Sequence, residues 1–209
     1  MENLKAQIAG KKKIGILGGT FNPPHYGHMD IAEAVYHSYG LDTLLLLPVG
    51  MPPHKKKVAS KKDRLHMTEL LAKERSFFQV CTIEIERRGY TYTIDTLGAF
   101  HEAMDADAEI YYIIGTDTLL YMHSWRDFAE VLPLATFVCV MRPGEQKKEV
   151  DAQVNAFRAT YGKEILLSSH VGPAISSTMV REAAKEGLPL EKYVPRSIAR
   201  YIEEQKIYD

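Results

Sequence analysis

The sequence predicts an α/β fold: a doubly wound parallel sheet with helices on both faces. Short apolar runs such as "TLLLLPV" lack polar alternation, as expected of strands covered on both sides. Segments with apolar residues at helical spacing separate these runs, which favours parallel strands joined by helical crossovers. A glycine-rich turn, "GGTFNPPHYGH" (Gly18 to His28), directly follows the first run. In such sheets that is where the ligand crevice opens, beyond the C-terminal strand ends.

The elements follow in order. "KIGIL" (Lys13 to Leu17) is a short buried strand bounded by glycines. From about Tyr26 to Tyr39, Ile31, Val35 and Tyr39 fall four apart, and Gly40 supplies a helix stop. "TLLLLPV" is the second strand. Ser60 can cap a helix through "KKDRLHMTELLAKER", with Asp63 favourably placed in its first turn. "FFQVCTIEIE" is the third strand, and "TIDTLGAFHEAM" has helical spacing at Ile94, Leu97 and His101. "EIYYII" and "ATFVCVM" are further strands, separated by a segment that holds the only tryptophan, Trp125. "KEVDAQVNAFRATYG" is a helix ending at Gly162, and "EILLS" is the last strand. Two helices close the sequence, one from near Ser177 and one after Pro195, where proline suits a first turn.

With 209 residues, 45% hydrophobic and 25% charged, the chain fits one well-packed domain, 1–209, with 1–12 as an N-terminal extension and 175–209 as a C-terminal helical part. A formal net charge of −1 gives no general reason to seek nucleic acid or an acidic membrane, so an anion site must be local. No apolar run is long enough to span a bilayer, and the start lacks the apolar core of a secretory signal. Cys81 and Cys139 are isolated in apolar stretches, as reduced buried thiols would be, and the expected compartment is cytoplasmic. A homo-oligomer stays compatible with all of this.

Two stretches carry chemistry. Gly18 and Gly19 allow a tight turn and a close backbone approach to a ligand, and Pro23 and Pro24 stiffen the loop. His25 and His28 stand three apart at the start of the next helix, whose free N–H groups suit phosphate. The loop matches neither G-x-x-x-x-G-K-[ST] nor G-x-G-x-x-G. Glycines serving packing alone with solvated histidines, a zinc pair, and nucleotide binding without turnover remain open readings. Far downstream, "ISSTMVR" (Ile175 to Arg181) begins another helix with Ser176, Ser177 and Thr178, and Arg181 lies one turn on. An ordinary cap with a solvated arginine is the competing account.

"GGTFNPPHYGH" resembles the H-x-G-H signature of the nucleotidylyltransferase superfamily, and "ISSTMVR" resembles its I-S-S-T-x-[IV]-R signature. Between and after them come "MPPHKKK", "YTYTIDT", "IIGTD", "SWRDFAEVL", "RPG" and "VPRSIARYIEEQKIY". In this order they are similar to bacterial nicotinate mononucleotide adenylyltransferases, from about Lys13 to Tyr208. Asn22 stands where many members have Asp.

The resemblance implies a Rossmann-like fold and transfer of AMP from ATP to nicotinate mononucleotide, releasing pyrophosphate. It implies that His28, His25 and Arg181 are catalytic. Gly18, Gly19, Thr20, Phe21, His25, His28, Gly115, Asp117, Ser177, Thr178 and Arg181 would meet ATP. His54, Lys55, Tyr92, Thr93 and Trp125 would meet the mononucleotide. Trp125 would stack on the pyridine ring, and the helix start at Tyr92 and Thr93 would bind the nicotinate carboxylate. Packing for Trp125 and Tyr92, and a helix cap for Asp117, stay open as plainer roles. The implied cofactor is Mg2+, riding on the triphosphate rather than in a protein cage. A different acceptor, such as phosphopantetheine or the amidated mononucleotide, and a regulatory nucleotide-binding protein are the rival functions.

Overall fold

The structure is a computed structural model and describes residues 1–51 and 58–208. His54 and Lys55 lie outside the described residues. In chain order the elements are α1 (Glu2–Ile8), β1 (Lys13–Gly19), α2 (Tyr26–Tyr39), β2 (Thr43–Pro48), α3 (Lys61–Ala72) and β3 (Phe78–Val80). There follow α4 (Ile83–Glu86), α5 (Thr93–Ala103), β4 (Glu109–Gly115), α6 (Thr116–Tyr121) and α7 (Phe128–Val131). β5 (Thr136–Met141), α8 (Lys147–Tyr161), β6 (Leu166–Val171), α9 (Ser177–Lys185) and α10 (Arg196–Gln205) complete them.

The described strands form one six-stranded parallel sheet in the order β3-β2-β1-β4-β5-β6. The order reverses between β1 and β4, so the switch point lies at the end of β1, where the glycine-rich turn begins. Alternate residues of each strand feed two cores. Leu45 and Leu47 of β2 and Tyr112 of β4 join α1, α5 and α8 on one face. Leu44 and Leu46 of β2 and Ile113 of β4 join α2, α3, α9 and α10 on the other. All six residues of β2 are buried, which explains its unbroken apolar run.

The end signals act as read. Gly40 and Gly162 adopt left-handed backbone after α2 and α8, and Ser60 caps α3 by accepting from the Asp63 N–H at 3.1 Å. Elsewhere the structure differs. The third strand stops at Val80, and "IEIE" coils into α4, because Glu84 turns inward to accept from the Thr96 hydroxyl at 2.8 Å. The alternating pattern there is local propensity overridden by tertiary contact. The last strand begins at Leu166 and runs on to Val171, with an irregular register against β5 between Cys139 and Met141. Its polar "SSH" stretch is tolerated at a sheet edge. Pro195 takes the N-cap position of α10 rather than its first turn. Residues 2–8 form α1, whose Leu4 and Ile8 enter the core and whose Gln7 donates to the Val80 carbonyl at 2.8 Å. No described helix is long and apolar enough to cross a membrane.

Candidate active site

The two motifs meet at the switch point. Arg181 donates from Nη1 to the Asn22 carbonyl at 2.9 Å, and Ser177 Oγ donates to the Pro23 carbonyl at 2.8 Å. Arg181 also holds Thr178 Oγ1 through Nη2 at 3.0 Å, while Ser176 caps α9 by accepting from the Met179 N–H. A Cβ on Gly27 would stand 2.9 Å from His25 Nδ1 and 3.3 Å from the Ile175 carbonyl oxygen. The glycine between the two histidines is therefore where the second motif packs on the first.

The histidines differ from each other. His25, the N-cap of α2, is 2% exposed, and its buried Nδ1 has no partner among the described residues. Burial, reinforced by the positive charge of Arg142, pushes its pKa down to about 3. His25 is thus a buried neutral imidazole, and the account of it as a solvated residue is corrected. The fixed positive charge beside the loop belongs to Arg181 and Arg142. His28 accepts from the His25 N–H through Nδ1 at 3.2 Å, which puts its ring proton on Nε2, a hydrogen-bond donor at neutral charge. The two rings lie 3.8 Å apart between centroids.

The space left by the loop's missing Cβ atoms faces protein, not ligand. A Cβ on Gly18 would sit 2.4 Å from the Tyr112 hydroxyl, and one on Gly19 would meet the Phe21 ring at 3.3 Å. Phe21 itself is 1% exposed, packs near His28 at 5.0 Å between centroids, and has φ of 48°. Left-handed backbone is strained for a phenylalanine, and such strain clusters at functional loops. Only main-chain groups of Gly18, Gly19 and Phe21 are thereby left to meet a ligand. Ser177 likewise spends its hydroxyl proton on Pro23, leaving its N–H at the helix start as the donor on offer.

On the other side of β1 lies the start of α5. Tyr92 is its N-cap without a side-chain cap, so the first N–H groups of the helix have no local acceptor from it. Tyr112, buried in β4, joins this region to the motif loop. Its hydroxyl faces Gly18 and engages the Thr93 side chain, and its ring meets Trp125 at 6.3 Å between centroids. Trp125 is half-buried, with Phe137 also 6.3 Å away, so its inner side packs on the core. Arg126 lies over the Tyr92 ring at 5.1 Å. Gly115 ends β4 and is the N-cap of α6, while Asp117 in its first turn is exposed and pairs with Arg142 at 3.4 Å without acting as a cap.

Sequence reasoning missed Arg64, Glu84 and Tyr112. Arg64 lies in a lysine-rich run that looks solvated, yet it is 1% exposed. Tyr112 sits in an ordinary-looking strand; only the lack of a side chain at Gly18 hints at a large neighbour. Among the described residues no group of three or more His, Cys, Asp or Glu is placed to hold a metal ion.

A parallel sheet with arginines, a neutral histidine pair and helix starts gathered at its switch point is a nucleotide-handling α/β protein. The cytidylyltransferase-like family model matches residues 16–183. A relative from Thermoanaerobacter sp. (strain X514) is 41% identical over 198 residues, covering 94% of each chain. One from Halalkalibacterium halodurans is 37% identical over 200 residues, covering 94% of this chain and 91% of its own. Both carry the name "Probable nicotinate-nucleotide adenylyltransferase". The chain belongs to the cytidylyltransferase-like family and, within it, to the nicotinate-nucleotide adenylyltransferases. The Plasmodium falciparum nicotinic acid mononucleotide adenylyltransferase, solved in complex with APC and with NaAD, shares the fold with a TM-score of 0.75. It is 17% identical in the first complex and 18% in the second, over 95% of this chain and 98% of its own.

Proposed function

We propose that this chain transfers AMP from ATP to nicotinate mononucleotide, giving nicotinate adenine dinucleotide and pyrophosphate for NAD biosynthesis. One observation carries the reading for this chain: Ser177 and Arg181 dock on the Pro23 and Asn22 carbonyls across more than 150 residues, at the switch point, with the α5 start on the other side of β1. That arrangement gathers hydrogen-bond donors suited to two phosphorylated partners.

The attacking group is the mononucleotide phosphate oxygen and the target is the α-phosphorus of ATP. A phosphate monoester is mostly deprotonated at neutral pH, its second pKa being near 6, so no general base is needed. The catalytic work is positioning and charge neutralisation. His28 donates from Nε2 to the α-phosphate oxygens, and His25 orders it through the backbone bond to Nδ1. The main-chain groups of Gly18, Gly19, Thr20 and Phe21 line the nucleotide. Arg181, with the N–H groups of Ser177 and Thr178, takes the β- and γ-phosphates and the departing pyrophosphate. Mg2+ arrives with ATP as part of the substrate; this set of cations and neutral donors suits a triphosphate that brings its own metal. Gly115 and Asp117 take the ribose side of ATP.

On the acceptor side the α5 N–H groups bind the nicotinate carboxylate, which favours the acid over the neutral amide. Trp125 offers its outer face to the pyridine ring, while His54 and Lys55 approach the mononucleotide phosphate. The free, buried thiols of Cys81 and Cys139 fit a reducing compartment such as the cytoplasm. The test is pyrophosphate release from ATP and Mg2+ with nicotinate mononucleotide, nicotinamide mononucleotide or phosphopantetheine as acceptor. Preference for the first is expected, and a faster rate with either of the others overturns the assignment. Trp125→Ala is expected to raise the acceptor KM; a change in the ATP KM alone would remove Trp125 from the pyridine site.

A further inference from the structure

Arg64 is the largest of the fully buried side chains among the described residues, and what it holds is backbone. Nη1 donates to the Thr20 carbonyl at 3.0 Å and to the Val49 carbonyl at 2.6 Å. Nη2 donates to Gly50 O at 2.7 Å, and Nε to Ala59 O at 3.2 Å. A guanidinium alone among side chains presents enough donors, in a fixed plane, to join three separate stretches of main chain. Burying it is costly unless those bonds are made, and burial holds its pKa below the usual arginine value. A group so expensive to bury is retained where its geometry matters.

The peptide between Val49 and Gly50 is gripped from both ends. Its carbonyl takes Arg64; on the other side burial raises the pKa of the Glu84 carboxyl, partly opposed by hydrogen bonds from Thr96 and from the Gly50 N–H. Gly50 fits so tightly that a Cβ would fall 2.0 Å from the Glu84 carbonyl oxygen. Glu84 is 5% exposed and accepts from Thr96 Oγ1 at 2.8 Å, in the first turns of α5. Arg87 in turn reaches Thr96 Oγ1 at 3.3 Å.

We propose that Arg64 and Glu84 are positioning residues that clamp the Val49–Gly50 peptide between them and so fix the spacing between the ATP loop at Thr20 and the acceptor-binding start of α5. The chain of contacts runs from Thr20 through Arg64, the Val49–Gly50 peptide and Glu84 to Thr96. It rests on the reading of α5 as the acceptor side. Neither residue touches the reacting atoms; each sets where the two substrates' holders stand, and a displacement of about 1 Å can cost on the order of a hundredfold in rate.

The test uses the full chain, with Arg64→Lys and Glu84→Gln singly and together, read by Tm and by kcat and KM for both substrates. Glu84→Gln, which keeps the shape and the Thr96 acceptor, is expected to raise the acceptor KM about fivefold or more while the ATP KM stays within about twofold. Arg64→Lys is expected to raise both KM values and to lower kcat about tenfold or more, because one ammonium cannot serve Thr20, Val49, Gly50 and Ala59 together. The double variant is expected to lose less than the product of the single losses, since both act through one peptide. Lower Tm with kcat and both KM values unchanged means plain structural support and overturns the proposal. Should Arg64→Lys fail to fold, an unchanged acceptor KM in Glu84→Gln overturns it alone. If the unsubstituted chain releases no pyrophosphate with nicotinate mononucleotide, the functional reading has failed, and the clamp is judged on ATP affinity. There Arg64→Lys must weaken binding about fivefold, and unchanged affinity overturns the clamp.

Discussion

Gly18→Ala, alone and paired with Tyr112→Phe, tests the claim that this glycine exists to make room for a phenol. In the folded chain the new Cβ would stand 2.4 Å from the Tyr112 hydroxyl oxygen, far inside contact distance, and 3.2 Å from the ring carbon that carries it. Tyr112 is buried between the sheet and α5 and cannot swing to solvent. Overpacking of this kind costs about 1–3 kcal/mol, and the severity of the overlap points to the upper part of that range. Tyr112→Phe alone loses the hydroxyl's engagement with Thr93, at a cost of about 1 kcal/mol. Together the first change should become mild, because the atom it strikes is gone and the ring carbon needs to yield only a few tenths of an ångström. The expected coupling is about 1–2 kcal/mol in favour of the pair. At roughly 2–4 °C per kcal/mol for a chain of this size, that is a measurable recovery of Tm. Urea unfolding of the four proteins at one pH gives the cycle. If Gly18→Ala costs the same in both backgrounds, within about 0.5 kcal/mol, the reason given for Gly18 is wrong.

Further outcomes follow from the same geometry. His28→Ala should lower kcat by about 10²–10³, as loss of an oxyanion donor does; a fall under about threefold takes it out of the chemistry. His25 has its folded pKa near 3 and an unfolded value near 6.5, so between these pH values the unfolded chain binds more protons. Its contribution to stability is present above about pH 6.5 and is lost as pH falls toward 3. His25→Gln should therefore flatten the acid limb of a stability–pH curve by up to about 1.4 kcal/mol per pH unit, and parallel limbs would count against a neutral buried ring. Burial pushes both thiols up to about 11, so Cys81 and Cys139 should resist a maleimide until denaturant is added. Fast labelling of the native chain at either position would contradict their burial.

What the sequence disclosed were signals whose meaning is local. Ser60 as a cap and Gly40 and Gly162 as helix stops each act through neighbours a few residues away, and the unbroken apolar run of β2 shows burial on both faces in its own letters. The two motifs were visible because their residue types are unusual in combination. Arg64 was hidden because its partners are main-chain oxygens at Thr20, Val49, Gly50 and Ala59, which have no letter in a sequence and converge only after folding. α1 carried a faint mark, Leu4 and Ile8 four apart, but it is too short to stand without the core it covers. The neighbour of Gly18 was hidden for a similar reason: absence of a side chain says that something is near, and only the fold says that it is Tyr112.

The staple between Ser177 and Pro23 spans 154 positions of the polypeptide. A ribosome making this chain releases the histidine loop long before the segment that locks it, at about 5–20 residues per second. Through that interval the nascent protein owns the loop but not its clasp, so grip on nucleotide should switch on late in synthesis, after the sixth strand has taken its place. A fragment ending before Ser177, however well its sheet is formed, would be a cradle with one side missing.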